Sequence, residues 1–240
     1  MCTMRKKIYL SALRVLMLGV LAMSIVSCEE DTETNETNDE LVEVGVIECV
    51  DSNHVHAVDL GLSVKWACCN VGAHSPEGYG NYYCWGNLRE MGVDYNWVEA
   101  GNSEDYIHPN LDISATGYDV AYMKWGNGWR MPTRAEFQEL VDSCSWKRVM
   151  INNVEGQIVT GPNGNSIFLP AAGYRGYLGD SFRGECGYYW SGTLGTGDAA
   201  DPAWSMYFIQ DQKKFPFITD SIVCSITNGF YAESVRPVRN

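Results

Sequence analysis

Positive charge is scarce in this 240-residue chain: 17 Lys and Arg stand against 30 Asp and Glu, for a net charge of −13. No basic surface is available to neutralise phosphates, which excludes a nucleic-acid binder of the usual electrostatic kind. A long apolar run is also missing. Val15 to Val26 is apolar apart from Gly19 and Ser24, and Arg14 bounds it. A membrane-spanning helix needs about 20 such residues. Among the nine cysteines no Cys-x-x-Cys pair occurs, so a zinc ribbon is disfavoured. Gly-x-Ser-x-Gly and His-Glu-x-x-His are absent too, removing the usual marks of a serine hydrolase or a zinc protease.

What is present begins with an address. Arg5, Lys6 and Lys7 precede the short apolar core, which ends in Ile25-Val26-Ser27-Cys28. That order reads as a signal peptide over residues 1–27. Its end resembles a bacterial lipobox, which makes Cys28 the expected lipid anchor and the membrane a partner through that lipid. Residues 29–40 then carry seven acids and no base. Such a run stays solvated as a tether. It also resembles the signal that sends Bacteroidetes lipoproteins to the outer face of the outer membrane.

Residues 41–240 are long enough for one domain that buries about 70% of its unfolded surface. Leu41 to Val50 alternates and suggests a first strand. Gln157 to Thr160, the turn Gly161-Pro162-Asn163-Gly164 and Asn165 to Leu169 read as a hairpin. Trp204, Met206 and Phe208 mark another strand, and Tyr231 to Val238 a last one limited by Pro237. One helix is expected over about 133–143. Thr133 and Glu136 form a Thr-x-x-Glu capping box, and Phe137, Leu140 and Val141 an apolar stripe ending near Cys144. From Asn87 to Trp125 neither period is sustained, which predicts a long loop.

Several segments, in order, resemble one family. They are Val58-Asp-Leu-Gly-Leu-Ser-Val-Lys-Trp-Ala67, Cys69-Asn-Val-Gly-Ala73, Tyr79-Gly-Asn-Tyr-Tyr83 and Gly128-Trp-Arg-Met-Pro-Thr-Arg-Ala-Glu-Phe137. Phe168-Leu-Pro-Ala-Ala-Gly-Tyr-Arg175, Gly187-Tyr-Tyr-Trp-Ser191 and Ser234-Val-Arg-Pro-Val-Arg239 complete the set. From about Val58 onward the chain resembles the Fibrobacter succinogenes major paralogous domain. It departs from that pattern at Cys68, Cys84, Asn87 and Gly192. The resemblance implies an α+β, C-type-lectin-like fold, also similar to the formylglycine-generating enzyme, with short antiparallel strands, chain ends meeting in a sheet and long loops on one side. It implies no established activity.

Candidate chemistry is thin. Cys49, Cys68, Cys69, Cys84, Cys144, Cys186 and Cys224 form an odd set, so disulfides cannot use all of them within one chain. Buried inert thiols are expected rather than a catalytic one. His54 and His56 share a phase that suits a metal with Asp51, but four histidines in such a chain are ordinary. Asp198 and Asp201 offer carboxylates where a lectin-like loop places Ca²⁺, although their spacing matches no established calcium loop. Trp66, Trp85, Trp129, Trp190 and Trp204 are expected in the core. Arg130 is expected as a buried, paired cation. Trp97, Tyr106, Tyr174 and Tyr177 are expected to be exposed, with Arg175 beside the last two. The expectation is a cell-surface, outer-membrane lipoprotein without enzymatic activity or cofactor that recognises a glycan or protein. A structural subunit of a surface fibre or envelope complex is the alternative. Its ligand residues are expected among Tyr174, Arg175, Tyr177, Asp198 and Asp201, on loops from 87–125, 174–182 and 195–201.

Overall fold

The C-terminal hairpins and one capped helix organise the core. The computed structural model describes residues 42–43, 56–92, 108–176, 179–197, 201–218 and 220–240, all within one unit spanning 40–240. The described chain is α+β, mostly antiparallel sheet with two α-helices. Cys28 and most of the Leu41–Val50 segment lie outside it. Only β1 (Val42–Glu43) is described from that segment, and it runs parallel to β5 (Ser145–Ile151).

Four small sheets result. The first has the order β1-β5-β6-β7, with β6 (Val154–Thr160) and β7 (Ser166–Pro170) forming the expected hairpin. In the second, β2 (Ala57–Val58) and β3 (Lys65–Ala67) meet β14 (Val238–Arg239), so strands from residues 57–67 and from the last residues share a sheet. The third joins β4 (Tyr83–Cys84), β13 (Ala232–Glu233), β8 (Tyr174–Gly176) and β9 (Gly179–Ser181). The fourth is β10 (Cys186–Leu194), β11 (Pro202–Ile209) and β12 (Ile222–Asn228), antiparallel throughout.

The sequence suggested one final strand over Tyr231–Val238; the chain instead makes two strands in different sheets. Pro237 has no N–H to donate, so a ladder cannot run through it. Between them Arg236 turns inward and is fully buried.

Helix α1 (Val120–Trp125) corrects the expectation of an unbroken loop. Six residues are too few to show a 3.6-residue period, and the helix depends on its cap instead. The buried Asp119 carboxylate accepts from the backbone N–H groups of Ala121 and Tyr122 with one oxygen, and from Ala115 and Met131 with the other, at 2.8–3.0 Å. It thereby pins the loop before the helix and the segment after it.

Helix α2 (Arg134–Ser143) forms where the capping box places it. Thr133 Oγ1 accepts from Glu136 N at 3.2 Å, and a Glu136 carboxylate oxygen accepts from Thr133 N at 2.7 Å. Arg130 grips the same carboxylate with two N–H groups, at 2.6 and 2.8 Å. Arg130 is thus paired as expected but only half-buried. Its partner's carboxyl is held below its usual range: burial pushes it up, and the Arg130 and Thr133 hydrogen bonds more than offset that. Phe137 and Leu140 are wholly buried against Leu60, Trp66, Val159, Met206 and Phe208. The helix ends without a glycine because β5 begins two residues later. Thr133→Ala is expected to cost about 1 kcal/mol, read as a lower urea midpoint with an unchanged slope. An unchanged midpoint would remove the cap's role.

Four of the five tryptophans expected in the core are there, while Trp204 is half-buried beneath the Arg134 guanidinium, 4.0 Å from its ring.

Candidate functional site

Along β10 and β11, tyrosines occupy the phase opposite to the core residues. Tyr189, Met206 and Phe208 are buried, whereas Tyr188 and Tyr207 are half-exposed. The register sets Tyr188 directly opposite Tyr207, and their rings stack at 5.6 Å. Cross-strand partners lie on one face, so Val223 of β12, opposite Tyr207, continues the line. Gly187 makes room on the core side: a side chain there would overlap the Phe208 ring.

The line extends at the other end. Tyr174 of β8 meets Tyr188 edge-on at 5.2 Å and also contacts Tyr231 at 5.1 Å and Phe182 at 5.9 Å. Phe182 reaches Phe215 at 5.7 Å. Phe182 is 42% exposed, and Tyr174, Phe215 and Tyr231 are half-buried. Six partly exposed rings from separate segments thus form one continuous row, three of them on strands (Tyr174, Tyr188, Tyr207) and three on the segments beside them. Burial pushes the Tyr174, Tyr188 and Tyr207 hydroxyls above the ordinary phenol value, so they remain neutral donors and acceptors.

Beneath the row lies Glu233, 1% exposed, its carboxyl accepting from Ser205 Oγ at 2.7 Å. Burial pushes this acid up to about 8. No described cation lies within ion-pairing distance of it. At neutral pH it is therefore mainly uncharged.

The residues expected from sequence to bind ligand do not converge. Tyr174 joins the row. Arg175, the next residue on β8, points to the other face and is buried, correcting the expectation of exposure. Its guanidinium covers the Tyr82 ring at 4.3 Å, pairs with Asp180 at 2.8 Å and donates to the Met91 carbonyl. Arg183 pairs with the second oxygen of Asp180 at 2.7 Å and lies over Tyr79. This network locks the β8–β9 hairpin instead of presenting a ligand clamp. Asp201 precedes β11 and is six residues from Tyr207, about 20 Å along an extended strand. It is near His108, which stacks on Trp85 at 4.8 Å and whose imidazole is held below its usual range by burial. Tyr177, Asp198, Trp97 and Tyr106 lie outside the described residues, as do Asp51 and His54.

The six described cysteines form no disulfide with one another. Burial pushes the Cys186 thiol up to about 12 and the Cys224 thiol up to about 11, far from a reactive thiolate. Among the described residues no group of three His, Cys, Asp or Glu is placed to hold a metal, and no helix is long and apolar enough to cross a membrane.

Sequence reading missed Tyr188, Tyr207, Phe215 and Tyr231, and included Phe182 only as the end of the 174–182 loop. The signal was the strand phase: in Gly187-Tyr-Tyr-Trp190 only one tyrosine can face the core. What joins it to Tyr207 and Tyr174 is pairing between strands distant in sequence. No family model matches the chain, and neither does any curated protein or solved structure.

Proposed function

We propose that the chain is a non-enzymatic recognition module carried at the cell surface by a lipid on Cys28, and that the aromatic row binds a glycan. The row itself carries the reading. Four phenols and two phenyl rings give apolar faces on which sugar rings stack, with neutral hydroxyls at their margins for hydrogen bonds. A purely apolar patch would lack that polar margin. The meeting of β2, β3 and β14 supports the C-type-lectin-like fold and the family resemblance within this reading. The signal-like leader, Ser27-Cys28 and the acidic tether support placement on the outer membrane with the domain facing outward.

A glycan array probed with the full chain, followed by calorimetry on any hit, tests the reading. Phe182→Ala and Tyr207→Phe leave the strands intact. The first is expected to weaken binding at least tenfold, the second by several-fold through one lost hydroxyl contact. Binding that ignores both changes but is lost on Asp201→Ala would move the site to the far end of β11. An array without any hit would overturn the glycan assignment.

A further inference from the structure

Among the described residues strand β12 is the outer strand of its sheet. Two bonds just beyond the ladder fix its phase: Ile209 N donates to Ser221 O at 2.8 Å, and Gly229 N to Asp201 O at 2.7 Å. Antiparallel pairs alternate between bonded and non-bonded positions. Val223, Ser225 and Thr227 therefore bond inward to Tyr207, Ser205 and Ala203, while Ile222, Cys224 and Ile226 aim their N–H and C=O groups away from β11. None of these outward groups has a backbone or side-chain partner among the described residues.

Natural edges of this length are blunted by charge, proline or a bulge. Ile222–Asn228 contains neither a charged residue nor a proline, in a chain whose net charge is −13. Its register with β11 is unbroken, whereas β10–β11 shifts between Trp190 and Leu194. All seven residues are half-buried rather than covered.

The pattern also indicates the occupant. Ile222-Val-Cys-Ser-Ile226 is symmetric in its outward positions, isoleucine at either end and cysteine at the centre. An isologous two-fold contact demands such self-complementarity. A dyad at Cys224, perpendicular to the sheet, sets Ile222 of each copy opposite Ile226 of the other and makes one six-stranded sheet. It leaves α2 on the same face in both copies, running antiparallel to its mate. Cys224 lies within electrostatic reach of both Arg134 and Asp142, at opposite ends of α2. The dyad therefore brings the Arg134 end of one helix toward the Asp142 end of the other, a complementary arrangement.

We propose that the free edge of β12 is the docking surface for a second copy of this chain, joined antiparallel about Cys224. The dimer stands independently of what the aromatic row binds.

The test is the protein mass of the full chain in detergent micelles, measured by light scattering, with added salt to screen the mutual repulsion of two acidic copies. The expected mass is twice that of the monomer. Ile226→Pro removes an outward N–H without touching the ladder to β11, and is expected to halve the mass while the circular dichroism spectrum stays as in the wild type. Should that variant misfold, Ile226→Lys provides the same test with the backbone unchanged. A monomeric wild type, or a dimer that persists in a folded edge variant, would overturn the proposal. Capture of a different protein's strand by a monomeric chain would count as such an outcome.

Discussion

Arg236→Ala is expected to lower the unfolding free energy by about 3–5 kcal/mol, enough to shift the melting temperature by roughly 10 °C or more. The guanidinium is wholly buried and donates to Asn70 Oδ1 at 2.8 Å, the Ala67 carbonyl at 3.0 Å and the Phe168 carbonyl at 2.9 Å. Truncation leaves three buried acceptors without this donor and a cavity where the side chain lay. Each orphaned acceptor costs on the order of 1–3 kcal/mol. Arg236→Lys keeps the charge but cannot reproduce the planar fork, so it should fall between wild type and alanine. Urea titrations of the three proteins measure the series. Wild-type stability in the alanine variant would mean that this cation is dispensable to the core.

Raising the pH from 5 to 9 is expected to destabilise the protein through Glu233 by about 4 kcal/mol, near 10 °C in melting temperature. An unfolded chain ionises this carboxyl near the ordinary value of 4.5, the native protein near 8. Between those values the native state holds a proton that the unfolded state has released. The contribution is therefore greatest at the acid end and is lost as pH rises through 8. Asp119, which burial also pushes up, acts with the same sign from its lower ordinary value of 3.8; other groups act elsewhere or with the opposite sign. Glu136 and Glu77, held below their usual range, matter below about pH 4.5, and His108, also lowered, favours the native state more as pH rises toward 6.5. Cys186, pushed up to about 12, adds to the loss only above pH 9. Glu233→Gln keeps a neutral side chain of the same size, so its melting temperature should vary far less from pH 5 to 9. An equal pH dependence in both proteins would mean that Glu233 titrates normally.

The scaffold was legible where the signal was local. Thr133 and Glu136 lie within one helical turn, and the β6–β7 hairpin carries its own glycine-proline turn, so sequence alone placed both. Helix α1 was not legible, because Asp119 gathers N–H groups from Ala115 and from Met131, on either side of the helix. The candidate site was legible only at Tyr174. Arg175 was misread because neighbouring strand residues face opposite ways, and no composition rule tells which of Tyr174 and Arg175 points outward. The aromatic row depends on the register of Tyr188 against Tyr207 and on Tyr174 arriving from another sheet, which are facts of pairing rather than of composition.

The pairing of β14 with β3, and the insertion of Arg236 between Ala67 and Phe168, has a consequence for the order of folding. Contacts spanning some 170 positions close the core: β2 and β3 pair with each other, but the far edge of β3 waits for the domain's last residues. A chain emerging from the ribosome or crossing a membrane amino end first has only the short β2–β3 pairing over residues 57–67 until residue 239 has followed. High contact order of this kind slows folding. Until then the core around β3 stays open, and a chain whose core is open can still be drawn through a narrow channel.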